Sequence, residues 1–278
     1  MNRIALVTGT STGIGLSTAI HLAKAGFKVV ATMRNLAKAG PLKERAQKEN
    51  VALDLRVLDV ESDASVAGCV RDVLATHGQI DVLVNNAGQG YLGSMEQTSQ
   101  EQLRKTMEIN FFGVWRTTQA VFPHLREKRS GRVITVSSIG GLIGQPFNDA
   151  YCAAKFACEG YFESLAPVAK RLGIHLSLVE PGPVATEFVN TVLGQRKETQ
   201  GVDAAYQPLL DGYMRGSQEA FKISQTGDDI ARVIVEAATA EAPHLRYVTS
   251  EWVRGLASRK YTDPTGDSII ALTGSRLS

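Results

Sequence analysis

The sequence has little of what marks a secreted, metal-binding or membrane-embedded protein. It contains only three cysteines in 278 residues, and Cys69, Cys152 and Cys158 show neither a disulfide framework nor the spacing of metal ligands. No apolar run reaches the ~18 residues that a membrane-spanning helix needs. We therefore expect no disulfide, no resident metal and no membrane span, and a reducing compartment, the cytoplasm.

An excess of charge of one sign is also missing. The chain has 30 Lys and Arg residues against 28 Asp and Glu residues, which leaves a net charge of +2. This balance argues against a surface dedicated to nucleic acid or to a membrane. The first predicted strand begins at Ile4, which leaves no room for a signal peptide.

Linkers, internal repeats and low-complexity segments are absent as well, so one domain is expected over residues 1–278. The hydrophobic fraction of 44% suits a globular protein. Short apolar runs alternate with helical patterns, which predicts an α/β fold with a parallel sheet and helices on both faces. The predicted strands are residues 4–8, 28–32, 51–58, 80–84, 131–136, 174–179 and 245–248.

The first predicted strand leads into a glycine-rich turn. Residues 8–15 (Thr-Gly-Thr-Ser-Thr-Gly-Ile-Gly) follow a buried apolar run and precede an amphipathic helix predicted over residues 16–25. Glycines leave room for the backbone to approach a pyrophosphate, which then lies at the N-terminus of the helix. Strand, glycine turn and helix in this order predict a nucleotide site, here with the spacing G-x-x-x-G-x-G.

A second motif suits proton exchange. Tyr151 and Lys155 are four residues apart in a predicted helix, so their side chains project from one face. A free tyrosine hydroxyl has a pKa of about 10, and a nearby cation brings that pKa toward neutral pH. Ser138 adds a hydroxyl that can hold a carbonyl or alcohol oxygen. Such a site can exchange a proton with that oxygen while hydride moves to or from its carbon.

Together these motifs resemble the core subfamily of the short-chain dehydrogenase/reductase family. The family pattern also matches Asn-Asn-Ala-Gly at residues 85–88, Asn110 and the Pro181-Gly182 pair, and the matches cover residues 3–190 densely. The resemblance implies a doubly wound Rossmann fold with seven parallel strands in the order 3-2-1-4-5-6-7. Residues 140–149 and 175–180 resemble the branch that contains type 1 17β-hydroxysteroid dehydrogenase and related retinol dehydrogenases.

The resemblance implies a role for each member of a catalytic set. Tyr151 would be the general acid in reduction and the general base in oxidation. Lys155 would lower the pKa of Tyr151 and contact the nicotinamide ribose, and Ser138 would hydrogen-bond the reacting oxygen. Asn110 would hold a water that links Lys155 to solvent, unless it only satisfies a kink in its helix.

The resemblance also implies the cofactor contacts. Thr186 would bind the carboxamide unless it caps the next helix, and Asp59 would contact the adenine unless it is a turn or cap residue. The implied contacts are Gly9, Ser11, Thr12, Gly13, Ile14, Gly15, Arg34, Asp59, Val60, Asn86, Ala87, Gly88, Tyr151, Lys155, Pro181, Gly182, Val184 and Thr186.

Arg34 indicates which cofactor is preferred. An adenosine 2′-hydroxyl usually needs an acidic partner after the second strand, yet residues 28–43 contain no Asp or Glu. The guanidinium of Arg34 suits a 2′-phosphate because its fork pairs with phosphate oxygens. We therefore predict NADP(H) rather than NAD(H), with a solvated arginine at a strand end as the alternative.

Residues 187–225 interrupt the alternation of strands and helices and are predicted to form a helical lid. The segment is strongly apolar, which favours a hydrophobic ketone, aldehyde or alcohol as substrate. The steroid enzyme that the chain resembles has a histidine in this lid. None of the five histidines here lies in it, which argues against steroid specificity. Candidate substrate contacts are Gln145, Asn148, Pro183, Tyr213 and Phe221.

Two functions follow from these observations. The first is an NADP(H)-dependent oxidoreductase that acts on a hydrophobic carbonyl or alcohol. The alternative is a redox sensor or scaffold that binds NADP(H) without chemistry, although such relatives typically lack the Tyr/Lys pair. Family members pair the helices predicted here over residues 110–126 and 151–171, so a homodimer or homotetramer is expected.

Overall fold

The strands form a single parallel sheet. The computed structural model describes residues 3–186 and 204–277, and its seven strands follow the order β3-β2-β1-β4-β5-β6-β7. This confirms the predicted fold class and strand order. The strands are β1 (Ile4–Val7), β2 (Lys28–Met33), β3 (Leu53–Val57), β4 (Val82–Asn85), β5 (Gly131–Val136), β6 (Ile174–Glu180) and β7 (Arg246–Val248).

Two strands start two residues later than the sequence predicts, because the residues before them belong to turns. The Val51 N–H donates to the carbonyl of Ala46, and Asn50 has a φ of 53°, so β3 begins only at Leu53. The Ile80 N–H donates to Nε2 of His124, and the pairing of β4 with β1 starts at Val82. Hydrophobicity alone does not separate a buried turn from the strand that follows it.

Helices cover both faces of the sheet, as the alternating pattern predicts. The helix predicted over residues 16–25 begins earlier, at Gly13, and the helix predicted from Tyr151 begins at Asp149. The helices are α1 (Gly13–Lys24), α2 (Gly40–Lys48), α3 (Asp63–His77), α4 (Gln100–Met107), α5 (Gly113–Lys128), α6 (Asp149–Arg171), α7 (Gln207–Phe221), α8 (Gly227–Thr239), α9 (Glu251–Thr262) and α10 (Asp267–Gly274).

Two hydrophobic clusters lie against the two faces. Ala5 and Val7 of β1 pack with α1, α2 and α8, whereas Ile4 and Leu6 pack with α3, α5 and α6. All four residues of β1 are buried. Side chains of a strand alternate between the faces, so a strand covered on both sides must be apolar throughout. This is why the short uninterrupted apolar runs identify the strands.

The helix predicted over residues 110–126 is not one regular α-helix. The Glu108–Phe112 segment is a π-helical turn, and α5 starts after it at Gly113. A π turn frees a backbone carbonyl from the regular ladder, and π turns are frequent at functional sites. Within this turn, the backbone carbonyl of Asn110 accepts a hydrogen bond from the Cys158 thiol at 3.2 Å.

The predicted lid falls partly outside the described residues, since residues 187–203 are not among them. The remainder contains α7, which begins near the start of the second described range. None of the helices in residues 3–186 and 204–277 is both long and apolar enough to cross a membrane.

Candidate active site

A cavity of about 730 Å³ opens at the carboxyl ends of the central strands. The residues that follow β1, β4, β5 and β6 line it, together with the first turn of α6, one side of α7 and part of α9. In doubly wound sheets this edge is where ligands bind, because the strand order reverses there. The cavity brings the nucleotide motif and the Tyr/Lys motif into one space.

The glycine turn forms one end of the cavity, and its geometry requires glycine. Gly9 has a φ of +71°, and a Cβ there would lie 2.8 Å from the Cα of Ala87. A Cβ on Gly15 would lie 2.2 Å from the carbonyl oxygen of Gly9. A side chain at Gly9 would push the turn away from the loop after β4, and one at Gly15 would collide with the turn itself. Glycine at both positions therefore allows this end of the cavity to form.

The Asn-Asn-Ala-Gly segment holds the glycine turn in place. Asn86 Nδ2 donates to the carbonyls of Thr8 and Gly9, each at 2.9 Å. The Thr8 hydroxyl accepts in turn from the backbone N–H groups of Asn86 and Ala87, at 3.0 and 3.1 Å. Thr8 is therefore a structural partner of the site that sequence reasoning did not single out, although it starts the glycine motif.

The N-terminus of α1 faces the cavity, where Gly13, Ile14 and Gly15 are among the lining residues. Its N-cap residue, Thr12, makes no side-chain hydrogen bond to the helix, and the first turn carries no acidic residue. The free N–H groups and the positive end of the helix dipole suit an anionic group at this point. The residues present therefore fit a pyrophosphate, as the motif predicts.

Arg34 follows β2 and lines the end of the cavity that the cofactor motif predicts for adenosine. Its guanidinium Nη1 is 3.0 Å from Oε2 of Glu61, and Lys105 Nζ also pairs with the carboxylate of Glu61. Lys38 lines the same region. The sequence predicts that Arg34 pairs with a 2′-phosphate, and the structure shows that its guanidinium is already paired with a carboxylate. A bound phosphate would have to share or displace that partner.

Asp59 is the single predicted cofactor contact that does not line the cavity. Its Oδ1 accepts from the backbone N–H of Glu61 at 3.1 Å, which makes it a turn residue. Its neighbour Val60 does line the cavity. The structure therefore agrees with the alternative that Asp59 is a turn residue. A contact between Asp59 and adenine stays a prediction.

Tyr151 and Ser138 meet at the centre of the cavity. Their side-chain hydroxyls are hydrogen-bonded to one another. Burial raises the pKa of the Tyr151 phenol, and the hydrogen bond with Ser138 lowers it by less. The sequence argument predicted a lowered pKa from a nearby cation. In this structure burial is the largest effect on that pKa, and the phenol is held in its protonated, proton-donating form.

Lys155 is buried, with 5% of its surface exposed. Its ammonium donates to the Val136 carbonyl at 2.8 Å and lies 5.8 Å from the centre of the Tyr151 ring. Burial lowers the pKa of Lys155, because no hydration shell remains to stabilise its charge. Tyr151 and Lys155 thus share one helix face and one cavity, as their spacing predicts.

Asn110 is fully buried and its amide is satisfied within the protein. Its Oδ1 accepts from the Gln89 N–H at 3.1 Å, and its Nδ2 donates to the carbonyls of Gln89 and Thr106. A Cβ on Gly88 would lie 3.0 Å from this Oδ1 and 3.9 Å from Nζ of Lys155. Asn110 therefore joins the π turn to the loop after β4, which favours the kink alternative. Its water-holding role stays a prediction.

A cluster of buried charges lies directly behind Lys155. Glu159 follows it by one turn of α6, and Glu180 ends β6. The Arg246 Nε lies 3.1 Å from Oε2 of Glu159 and 3.3 Å from Oε1 of Glu180. Burial and the neighbouring Glu159 raise the pKa of Glu180 to about 8. One guanidinium cannot compensate two buried carboxylates, so Glu180 is held protonated at neutral pH.

This cluster predicts a pH dependence of stability. A carboxyl whose pKa is raised from 4.5 to about 8 contributes stability that is complete below pH 4.5 and is lost as the pH rises through 8. Glu180→Gln keeps the shape but never ionises. When the pH is raised from 6 to 9, the Tm of the wild type should fall by about 2 °C or more in excess of the change seen for the variant, as measured by calorimetry.

The matched control for that experiment is Glu163→Gln, which removes an exposed carboxylate that also pairs with Arg246. It should not change the slope of Tm against pH. Parallel curves for the wild type and Glu180→Gln would contradict a protonated Glu180.

The opposite end of the cavity is formed by α7 and the start of α6. Asn148 Nδ2 donates to the Tyr213 hydroxyl at 2.8 Å and to the Pro146 carbonyl at 2.9 Å. The loop after β6 is tied to the segment beyond α7, since the Gln225 N–H donates to the Pro183 carbonyl at 3.0 Å. Gln145, Asn148, Pro183, Tyr213 and Phe221, the predicted substrate residues, all line the cavity.

The loop after β6 reaches from this end to the glycine turn. A Cβ on Gly182 would lie 2.8 Å from Cγ2 of Val253, so α9 packs closely on it. Thr186 lies beside the first residue of α1, and a Cβ on Gly13 would approach its Cβ to 3.3 Å. Whether Thr186 caps a following helix concerns residues outside the described ranges. Pro181, Gly182, Val184 and Thr186 all line the cavity.

Sequence reasoning missed several residues of the cavity. Glu61 shows no motif of its own, and only its contact with Arg34 reveals its position. Trp252, Leu256 and Arg276 come from beyond the last strand, where no motif signals a function. These residues enter the cavity through tertiary packing, which no local pattern encodes.

Comparison with known proteins agrees with this geometry. A sequence model described as short chain dehydrogenase matches residues 3–197. Retinol dehydrogenase 8 of Bos taurus is 42% identical over 273 residues, covering 95% of this chain and 86% of that protein. 17-beta-hydroxysteroid dehydrogenase type 1 of Homo sapiens is 39% identical over 275 residues, covering 96% and 83%.

Two solved structures are similar over most of the chain. A metagenomic short-chain oxidoreductase in complex with NADP has a TM-score of 0.70 at 25% identity, covering 88% of this chain and 96% of that chain. A short-chain dehydrogenase/reductase from Burkholderia phymatum in complex with NAD has a TM-score of 0.82 at 20% identity, covering 96% and 95%. The second likeness concerns the fold alone.

Proposed function

Because this chain belongs to the short-chain dehydrogenase family, whose members are oxidoreductases that use NAD(P)(H), we propose that it transfers a hydride between NADP(H) and a hydrophobic carbonyl or alcohol. The observation that carries the proposal is the convergence of Ser138, Tyr151 and Lys155 with the glycine turn in one cavity. A protein that only binds a nucleotide needs the turn but has no use for a buried phenol and ammonium beside it.

The proton chemistry is assigned to Tyr151. Its buried phenol stays protonated at neutral pH, which is the form that a general acid needs in carbonyl reduction. Ser138, already hydrogen-bonded to that phenol, would hold the carbonyl oxygen at the same point. NADP(H) supplies the hydride when bound, and Lys155 would fix the nicotinamide ribose and stabilise the phenolate left after proton transfer.

The preference for NADP(H) over NAD(H) rests on charge at the adenosine end. Arg34 and Lys38 both line the cavity there, and the segment after β2 provides no carboxylate to bind a 2′-hydroxyl. Glu61 partly offsets this positive charge through its ion pair with Arg34. We therefore expect NADP(H) to be preferred over NAD(H), by a margin that the Glu61 carboxylate reduces.

The substrate class follows from the other end of the cavity. Leu92, Ile143, Met214, Phe221, Trp252 and Leu256 supply an apolar wall. An apolar wall of this kind suits the body of a large apolar carbonyl or alcohol. The two relatives named above are, by their names, a retinol dehydrogenase and a hydroxysteroid dehydrogenase, whose named substrates are of that kind. Within the described residues, we assign α7 to the predicted lid over the single domain.

We also propose that the protein forms an oligomer, because aromatic residues of α5, α6 and the π turn are exposed. Phe112, Trp115 and Phe156 are exposed by 43%, 38% and 38%, which is unusual for large apolar side chains on neighbouring helices. A homodimer or homotetramer would cover them. A light-scattering mass of one 29.9 kDa chain at micromolar concentration would contradict this assembly.

The deciding experiment is a panel of ketones, aldehydes and alcohols of increasing hydrophobicity, followed by NADPH absorbance. We expect turnover with NADPH or NADP⁺, and a rising kcat/KM as the apolar body of the substrate grows. If NADPH binds but no member of the panel reacts, the non-catalytic sensor or scaffold is the better assignment.

A further inference from the structure

One charged side chain lies in the substrate half of the cavity without a role in the reaction. Arg276 belongs to a short 3-10 turn, Ser275–Leu277, that follows α10. It lines the cavity together with Tyr213, Met214 and Ser217 of α7. The side chain is half-buried, and the polar residues that line the cavity with it, Tyr213 and Ser217, are neutral, so its charge has no opposite charge beside it among the described residues of the cavity.

Two glycines on α7 allow this turn to pack closely against the helix. A Cβ on Gly212 would lie 2.5 Å from the carbonyl oxygen of Leu277, and a Cβ on Gly216 would lie 3.5 Å from Cβ of Arg276. The glycines are four residues apart and therefore share one helix face. The turn lies directly on that face, and Leu277 packs against the cluster of Leu92, Phe147, Leu210 and Tyr213. The backbone of Arg276 is thus held against α7.

No acidic side chain among the described residues balances Arg276 in this half of the cavity. Within residues 3–186 and 204–277, the Arg276 side chain forms no ion pair or hydrogen bond, and the same holds for the Gln145 side chain. Tyr213 is hydrogen-bonded to Ser217 and Asn148. Among the described residues that line the cavity, Glu61 is the single carboxylate, and it pairs with Arg34 at the adenosine end.

The reacting centre and Arg276 are joined by apolar surface. Asn148 precedes Tyr151 by three residues at the start of α6, so its hydrogen bond with Tyr213 links the proton donor's helix to α7, against which the turn of Arg276 packs. Leu92, Ile143 and Phe221 line the same cavity. A ligand that fills it would meet a phenol at one point, an apolar wall along its body and a guanidinium at another point.

We propose that Arg276 binds a carboxylate on the substrate, so that the natural substrate is an amphipathic oxo or hydroxy acid whose carboxylate is remote from the reacting carbon. The inference rests on the proposed function, because it names the substrate class of that same cavity. A charge-assisted pair with arginine is stronger than a neutral hydrogen bond, and a partly desolvated cavity strengthens it. Arg276 sets specificity and takes no part in hydride or proton transfer.

Binding can be measured without turnover, on the enzyme saturated with NADPH at pH 7.5. The probes are decanoate and methyl decanoate, which share an apolar chain and differ in charge, and calorimetry or the fluorescence of Trp252 reports them. The wild type should bind decanoate about tenfold more tightly or better. Arg276→Gln should remove that difference by weakening decanoate alone, and Arg276→Lys should restore part of it.

The matched control is Arg215→Gln, because Arg215 is an exposed arginine of α7, the helix that the turn of Arg276 packs on, and it does not line the cavity. It removes the same charge from the region and should leave the ratio of the two affinities unchanged. Equal binding of acid and ester by the wild type, or equal weakening of both by Arg276→Gln, would overturn the proposal.

Turnover separates this inference from the proposed function. The oxo acid 10-oxodecanoate should be reduced with a catalytic efficiency about tenfold above that of its methyl ester, and Arg276→Gln should equalise the two substrates. If the ester and neutral ketones react as well as the acid, the carboxylate site fails while the oxidoreductase stands. If nothing reacts but decanoate binds through Arg276, the oxidoreductase fails while the anion site stands.

Discussion

Tyr151→Phe is expected to lower kcat by about 10²–10⁴-fold while NADPH affinity stays within about twofold of the wild type. The substitution removes the hydroxyl that is hydrogen-bonded to Ser138 and leaves the ring in its buried position. The proton donor is lost, but the walls of the cofactor site are unchanged. Single-turnover reduction with NADPH measures the first effect, and fluorescence titration of NADPH measures the second.

Tyr161→Phe provides the matched control for that variant. Tyr161 lies on the same helix, α6, but packs edge-on against Phe111 and Phe162 and does not line the cavity. Its loss of a hydroxyl should leave kcat unaffected. Turnover by Tyr151→Phe within about tenfold of the wild type would remove Tyr151 from the general-acid role.

The second large effect concerns the cofactor. Arg34→Ala is expected to weaken NADPH binding by about 10-fold or more, with little effect on NADH, because a charge-assisted phosphate pair is lost. Glu61→Gln should act in the opposite direction and tighten NADPH binding, since it frees the guanidinium from its carboxylate partner. The ratio of kcat/KM for NADPH and NADH, measured for each variant, gives the result.

The two variants together test the interpretation of the ion pair. Arg71→Ala is a suitable control, because Arg71 is an exposed arginine paired with its neighbour Asp72 and does not line the cavity. If Arg34→Ala leaves the cofactor ratio unchanged, Arg34 is a solvated strand-end residue. If Glu61→Gln weakens NADPH binding, the carboxylate orients Arg34 instead of competing for it.

The features that the sequence predicts well are those set by local chemistry. Parallel strands buried on both faces must be apolar throughout, so runs such as residues 4–8 identify them. The glycine turn is equally recognisable, because the 2.2 Å approach at Gly15 excludes any other residue. The pair Tyr151 and Lys155 is set by helix periodicity, and the structure brings both to one cavity.

The features that the sequence misses depend on contacts between distant segments or on burial. Arg34 and Glu61 are 27 residues apart, and their ion pair requires the loops after β2 and β3 to meet. The pKa of Tyr151 is raised rather than lowered, because the sequence shows the nearby lysine but not the loss of water around the phenol. Arg276 reaches the cavity only because two glycines of α7 admit the turn that carries it.

The division of the cavity wall has a practical consequence for engineering. The groups that exchange the proton lie on α6 and on the loop after β5, and Phe162 of α6 is completely buried in the sheet core. The wall that meets the body of the substrate comes from α7, α9 and the turn at Ser275–Leu277. A combinatorial library confined to Met214, Phe221, Leu256 and Arg276 would therefore diversify substrate range on a fixed catalytic frame, and its members could be compared directly by turnover number.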